Sequence, residues 1–131
     1  MIFVDTGAWA AFFVPADPSH RRAVTWMQEN RQPLITTDYV LDELLTLLKT
    51  RYGVSAAIEA GERLWAEEFA EVLFLTTADI RQAWAVFRGH RDKGWSFTDC
   101  ASYVVMRRLR ISQTFAFDRH FSQMLGIHRA P

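Results

Sequence analysis

"MIFVDTGAWAAFFVP", residues 1–15, sets the reading of the whole chain. A short apolar run stops at Asp5, and the residues after it are helix-like until Pro15, whose fixed φ and missing N–H close a helix. The order is strand, then carboxylate, then helix. It returns near the other end, where "TFAFDRHF", residues 114–121, runs apolar up to Asp118 and then turns polar.

The same alternation fills the space between. "DPSHRRAVTWMQENR" offers an Asp or Ser cap and an early Pro before a mixed helical pattern, and "LITT" is a second short strand. "TDYVLDELLTLLKTRYG" is the clearest helix, opened by threonines and closed by Gly53 where a left-handed cap is favoured. "SAAIEAGERLWAEEF" continues as helix, "EVLFLT" is a third strand, and "TADIRQAWAVFRGHRDKG" is a threonine-capped helix ending near Gly94. "SFTDCASYVVMRRLR" is the next helix, "TFAF" the next strand, "DRHFSQML" a short helix and "GIHRA" a last edge strand. Strands alternating with helices predict an α/β fold, a parallel sheet covered by helices on both faces, in one domain over residues 1–131.

Composition agrees with one compact domain. The chain has 131 residues, half of them hydrophobic, enough for a real core. With 15 basic and 15 acidic side chains the net charge is zero, so no global field draws it onto nucleic acid and any such contact needs a local patch. One cysteine, Cys100, cannot form an internal disulfide, and among its apolar neighbours it reads as a packed thiol. The longest apolar run, Ala8 to Val14, is too short to span a bilayer, and the N-terminus does not resemble a secretory leader. The expectation is a soluble cytoplasmic protein, without repeats or long linkers.

Four carboxylates stand out by position. Ligand sites in open parallel sheets form outside the carboxyl ends of the strands, which is where Asp5 and Asp118 fall. Each also suits a helix N-cap, so both readings stay open. On a helical wheel Val40, Leu44 and Leu47 form a stripe with Glu43 at its edge, while Asp42 points away with Lys49. Glu43 therefore belongs near the sheet, although a boundary glutamate with a solvated head has the same pattern. Asp99 lies three residues after Ser96, the spacing of a capping box, and a helix N-terminus also helps to keep a nearby carboxylate ionised. If the four acids meet, repulsion and desolvation raise their pKa values unless a cation shares the site. An all-oxygen set suits Mg²⁺ or Mn²⁺ better than zinc, and such ions activate water and stabilise charge on a phosphate undergoing displacement.

The motifs "MIFVDT", "TTDYVLDEL", "SFTDCASY" and "TFAFDRHF" resemble, in order and spacing, the four acidic motifs of the PIN-domain ribonucleases, over essentially the whole chain. A single-domain protein of this size is similar to the VapC-type toxins of toxin–antitoxin systems. The resemblance implies a Mg²⁺- or Mn²⁺-dependent endoribonuclease in which Asp5, Glu43, Asp99 and Asp118 bind metal and orient the attacking water. It implies supporting hydroxyls at Thr6 and Thr98, an RNA substrate, an antitoxin encoded by an adjacent gene, and a homodimer. Gly7 stands where many members have Ser.

Other side chains have ordinary readings. His120 reads as a surface histidine, with contact to RNA as its alternative. Arg88, Arg91 and Lys93 with Trp95, and Arg107, Arg108 and Arg110, fit either solvated faces or phosphate contacts. Trp9, Trp26, Trp65 and Trp84 are expected as core or interface anchors. Leu41 and Leu45 widen the apolar arc of their helix beyond what one sheet face requires, for packing on the helical pair that follows or for part of a groove for a partner. Two other functions compete with the nuclease: a phosphoryl-accepting α/β domain with Asp5 as nucleophile, and a non-catalytic interaction module. The first lacks the second aspartate such hydrolases place two residues on, where Gly7 stands.

Overall fold

A computed structural model describes residues 1–124 and 126–131. Five strands, all parallel, stand in the order β3-β2-β1-β4-β5: β1 (Ile2–Val4), β2 (Leu34–Thr37), β3 (Glu71–Leu73), β4 (Gln113–Phe115) and β5 (His128–Ala130). Six α-helices flank the sheet: α1 (Thr6–Phe13), α2 (His20–Glu29), α3 (Asp38–Tyr52), α4 (Val54–Trp65), α5 (Thr77–Gly89) and α6 (Phe97–Arg108). Every residue of β1 and β2 is buried, so side chains pointing to opposite faces are both covered, as the continuous apolar runs require. The outer strands β3 and β5 carry exposed residues.

The chain builds outward from β1 in one direction through β2 and β3. It then crosses back to place β4 on β1's other side. The strand order therefore reverses between β1 and β4, and the crevice at their carboxyl ends is the natural ligand position. Buried threonines hold this centre. Thr36 Oγ1 donates to the Val4 carbonyl (3.0 Å) and accepts from Trp9 Nε1 (3.2 Å), while Thr114 Oγ1 donates to the Phe3 carbonyl (3.1 Å). Their polar atoms are satisfied inside an apolar core; Thr36 pins α1 to the sheet and Thr114 ties β4 to β1.

Of the four tryptophans expected as core or interface anchors, two pack into the interior. Trp9 is fully buried against Phe12, Phe13 and Phe69, and Trp26 stacks on Phe115 with ring centroids 3.9 Å apart. Trp65 and Trp84 are exposed.

Several boundaries differ from the sequence reading for local reasons. The helix read through Phe69 stops at Trp65, because Glu67 takes a positive φ and its carboxylate accepts the Val72 N–H at 3.1 Å. The helix read to Gly94 stops at Gly89, where His90 Nδ1 bonds the Val86 carbonyl at 2.8 Å. Gly53 has the expected positive φ of 97°, but its ψ of 167° is extended rather than left-handed helical, a conformation open to glycine that lets α4 begin at once. The short helix read over residues 118–125 is a 3₁₀ turn, Arg119–Gln123, with Leu125 outside the described residues. Leu41, for which packing on the following helices and a partner groove were both open, is fully buried, since α3 packs against α1, α4 and α6 as well as the sheet. Leu45 does face a groove, with Ala57, Ile58, Gly61 and Trp65. Cys100 is buried, and burial followed by the charge of Asp99 pushes its thiol up to about 11, as a packed, inert thiol requires.

Candidate active site

Each of the four acids is delivered by an element boundary. Asp5 is the residue between β1 and α1. Its backbone N–H donates to the Phe115 carbonyl at 3.1 Å, which ties the ends of β1 and β4 together, and its side chain caps nothing. Asp118 follows β4 and does cap, with Oδ1 accepting the His120 N–H at 2.8 Å. Asp99 closes a complete capping box: its Oδ2 accepts the Ser96 N–H at 2.9 Å while Ser96 Oγ accepts the Asp99 N–H at 3.0 Å. Glu43 comes from the middle of α3, half-buried, whereas Asp42 is exposed, as the wheel predicts.

All four line one cavity of about 310 Å³ at the strand-order reversal, together with Thr6 and Gly7. Thr98 does not line it; that residue borders the neighbouring groove with Asp42, Thr46 and Thr50. Asp17, Arg51 and His120 also line the cavity. Arg51 lies two helical turns beyond Glu43 with Leu47 between them, a spacing legible on the same wheel. His120 is the larger correction to the sequence reading. It is not a free surface histidine, because its Nδ1 lies 2.9 Å from Asp99 Oδ2 and 3.2 Å from Asp118 Oδ1. With Asp99 ionised, Nδ1 is the donor. The Asp-x-His spacing at Asp118 and His120 is the only sequence trace of this contact.

Electrostatics single out Asp5. Its carboxyl is pushed up to about 8, first by burial and then by the charge of Asp99, with the Thr6 N–H opposing and Glu43 and Asp118 adding. Asp99 is also raised, chiefly by burial, against the pull of the Ser96 N–H and His120. Asp5 and Asp99, raised by burial among other acids, are short of positive charge.

The residues present fit a hard divalent cation. The four acids and Thr6 offer oxygens, no thiol lines the cavity, and the buried Thr6 Oγ1 has no hydrogen-bond partner among the described residues. A Cβ at Gly7 would lie 3.7 Å from Asp5 Oδ2, an ordinary contact, so glycine leaves room there that a serine would fill. Among the described residues no three His, Cys, Asp or Glu side chains already form a close ligand cluster.

Comparison with known proteins matches the PIN domain over residues 2–126. The chain is 37% identical over 125 residues to the 23S rRNA-specific endonuclease VapC20 of Mycobacterium tuberculosis, covering 93% of this chain and 92% of that one. It is 29% identical to Ribonuclease VapC26 of the same organism, covering 96% and 93% of the two chains. A VapC ribonuclease of Archaeoglobus fulgidus is also 29% identical, with 91% and 78% covered. In three dimensions the crystal structure of VapC20, described as a sarcin–ricin loop cleaving toxin, superposes with a TM-score of 0.89 at 33% identity over 94% of each chain.

Proposed function

Because the chain belongs to the PIN-domain family, we propose that it is an endoribonuclease of the VapC toxin type, dependent on Mg²⁺ or Mn²⁺, with Asp5, Glu43, Asp99 and Asp118 as its metal-binding and catalytic carboxylates. The observation that carries the reading is the convergence of these four acids on one cavity at the β1/β4 reversal, where burial first and the charge of Asp99 second push the Asp5 carboxyl up to about 8, so that its ionised form calls for a positive charge. A bound divalent ion would supply that charge, polarise a water and neutralise the phosphate.

The chain's own residues do the rest. Asp5, fixed by the bond from its N–H to β4, presents a carboxylate at the floor. The Ser96 N–H and His120 Nδ1 both bond Asp99 Oδ2, which fixes the carboxylate and leaves Oδ1 for the cavity. Glu43 enters from α3 opposite these, and Thr6 Oγ1 has its lone pairs free for a water or ligand. Arg51 at the rim is placed to attract a phosphate. The phosphoryl-acceptor alternative draws no support from this arrangement, and no observation favours a non-catalytic module.

The proposal extends to an antitoxin whose apolar segment lies in the groove at Leu45, Ile58 and Trp65, and to a homodimer. The test is cleavage of a structured ribosomal RNA loop by the purified chain, with Mn²⁺, Mg²⁺ or a chelator. Cleavage that survives chelation, or that persists in Asp99→Asn, would sink the site assignment.

A further inference from the structure

Outside the carboxylate cavity, one surface joins exposed aromatic rings to unopposed positive charge. Trp84 and Phe87, 53% and 40% exposed, stack with centroids 5.9 Å apart and planes 26° from parallel. Phe87 is braced from behind by Phe97, edge-on at 5.9 Å. Together with Arg88, Arg91, Lys93 and Trp95 they line a cavity of about 530 Å³. Arg88 and Arg91 form no ion pair with any described residue, and Lys93 is only 3.9 Å from its neighbour Asp92. On a chain of zero net charge this is a local concentration of one sign.

The surface and the carboxylate cavity are lined by adjoining residues of one segment. Gly94 and Trp95 line the basic one and Ser96, next in sequence, lines the acidic one. The wall between them is held by Trp95 Nε1 donating to Gln123 Oε1 at 3.2 Å, and by Gly94, whose missing Cβ would lie 3.3 Å from His120 Nε2.

We propose that this cavity is a docking site for the RNA strand, in which an unpaired base stacks on Trp84 and Phe87 while flanking phosphates meet Arg88, Arg91 and Lys93. The inference rests on the RNA-cleavage reading and adds how the strand is held beside the acids. Each part matches the chemistry of a single strand: π faces for bases of any identity, cations for the backbone, and a path to the cleavage site. A second copy of this chain fits worse, because a two-fold contact sets a patch against itself and would oppose the arginines to one another.

The test uses the full chain and a fluorescein-labelled, purine-rich single-stranded RNA of about sixteen nucleotides, bound in chelator so that nothing is cut. Trp84→Ala is expected to weaken binding about tenfold and Trp84→Tyr, which keeps a ring, to restore most of it. The pair Arg88→Ala and Arg91→Ala should flatten the slope of log affinity against log salt by about 1.4. With Mn²⁺ added, KM for the same RNA should rise in these variants while kcat holds. Variants that bind like the wild type would overturn the proposal. So would Trp84→Ala that leaves RNA binding intact but turns a dimer into a monomer in sedimentation, which would make the patch a self-contact. Binding lost in the variants beside a wild type that binds without cutting would keep the docking site and refute the nuclease reading. Normal cleavage with unaffected binding would do the reverse.

Discussion

Asp79 and Asp99 begin with the same local instruction and end with opposite chemistry. Each is the third residue of its helix, after Thr76 in α5 and Ser96 in α6, and each completes a full capping box. Each is buried, at 2% and 6% exposure. Arg108 then grips Asp79 with two bonds of 2.8 Å, and that contact, ahead of the opposing effect of burial, holds its carboxyl below the usual range. Asp99 finds no arginine. It faces three other acids and one histidine, and burial lifts it instead. A carboxylate neutralised inside the fold is structure, and one left wanting a cation is available for chemistry.

Exchanging the losses breaks the comparison most sharply. Asp99→Asn keeps an oxygen for the Ser96 N–H, so its melting temperature should hold while RNA cleavage falls at least about a hundredfold, on the scale of removing one preorganised charge. Asp79→Ala should do the opposite. Losing the acceptor for the Thr76 N–H and stranding an arginine that is 41% exposed costs about 2 kcal/mol, with cleavage per folded molecule retained. For a chain of this size that is a drop of roughly 5–8 °C in melting temperature, checked by calorimetry. If both variants lost activity alike, the distinction between the two aspartates would be false.

Glu43 and Asp42 repeat the test one residue apart on α3. Glu43→Gln should reduce cleavage by more than about tenfold, and Asp42→Asn, exposed to solvent, should change it less than about twofold. Similar losses in both would reverse the phase assigned to α3.

The pH dependence sharpens the contrast further, since the two kinds of acid have opposite signs. Asp5 keeps its proton to about 8 when folded but gives it up near 3.8 when unfolded. Between those values the native state binds more protons, so this group lowers stability as pH rises from about 4 to 8. Asp79, with its lowered pKa, contributes stability that is present above its unfolded range and lost as pH falls. In chelator, Asp5→Asn should therefore melt a few degrees above the wild type at pH 8 and lose most of that advantage at pH 4. Mn²⁺ should stabilise the wild type and not the variant. An unchanged slope in Asp5→Asn would place the buried proton elsewhere.

The smallest effect belongs to Thr6. Its buried hydroxyl has no partner, so Thr6→Val should leave the metal-free unfolding free energy within about 0.5 kcal/mol of wild type. The same change should weaken Mn²⁺ binding measured by calorimetry, and equal affinity would remove Thr6 from the site.

Much of this was legible in advance because it is local. Apolar runs ending at Asp5 and Asp118, the Ser96-to-Asp99 spacing and the stripe beside Glu43 follow from strand and helix periods, which a sequence displays directly. So did the alternation that makes a parallel sheet. Contacts between distant elements were not legible. Nothing near His120 shows that it reaches Asp99, 21 residues away in the chain, or that Leu41 is buried while Leu45 faces a groove. Thr76 with Asp79 and Ser96 with Asp99 are the same word in the sequence, and only the fold brings Arg108 to one and three carboxylates to the other. The sequence determined which groups stand at the ends of elements, because hydrogen-bond geometry and side-chain period act over a few residues. Tertiary structure decided which are neutralised, because Coulomb energy and desolvation depend on distance and burial in space.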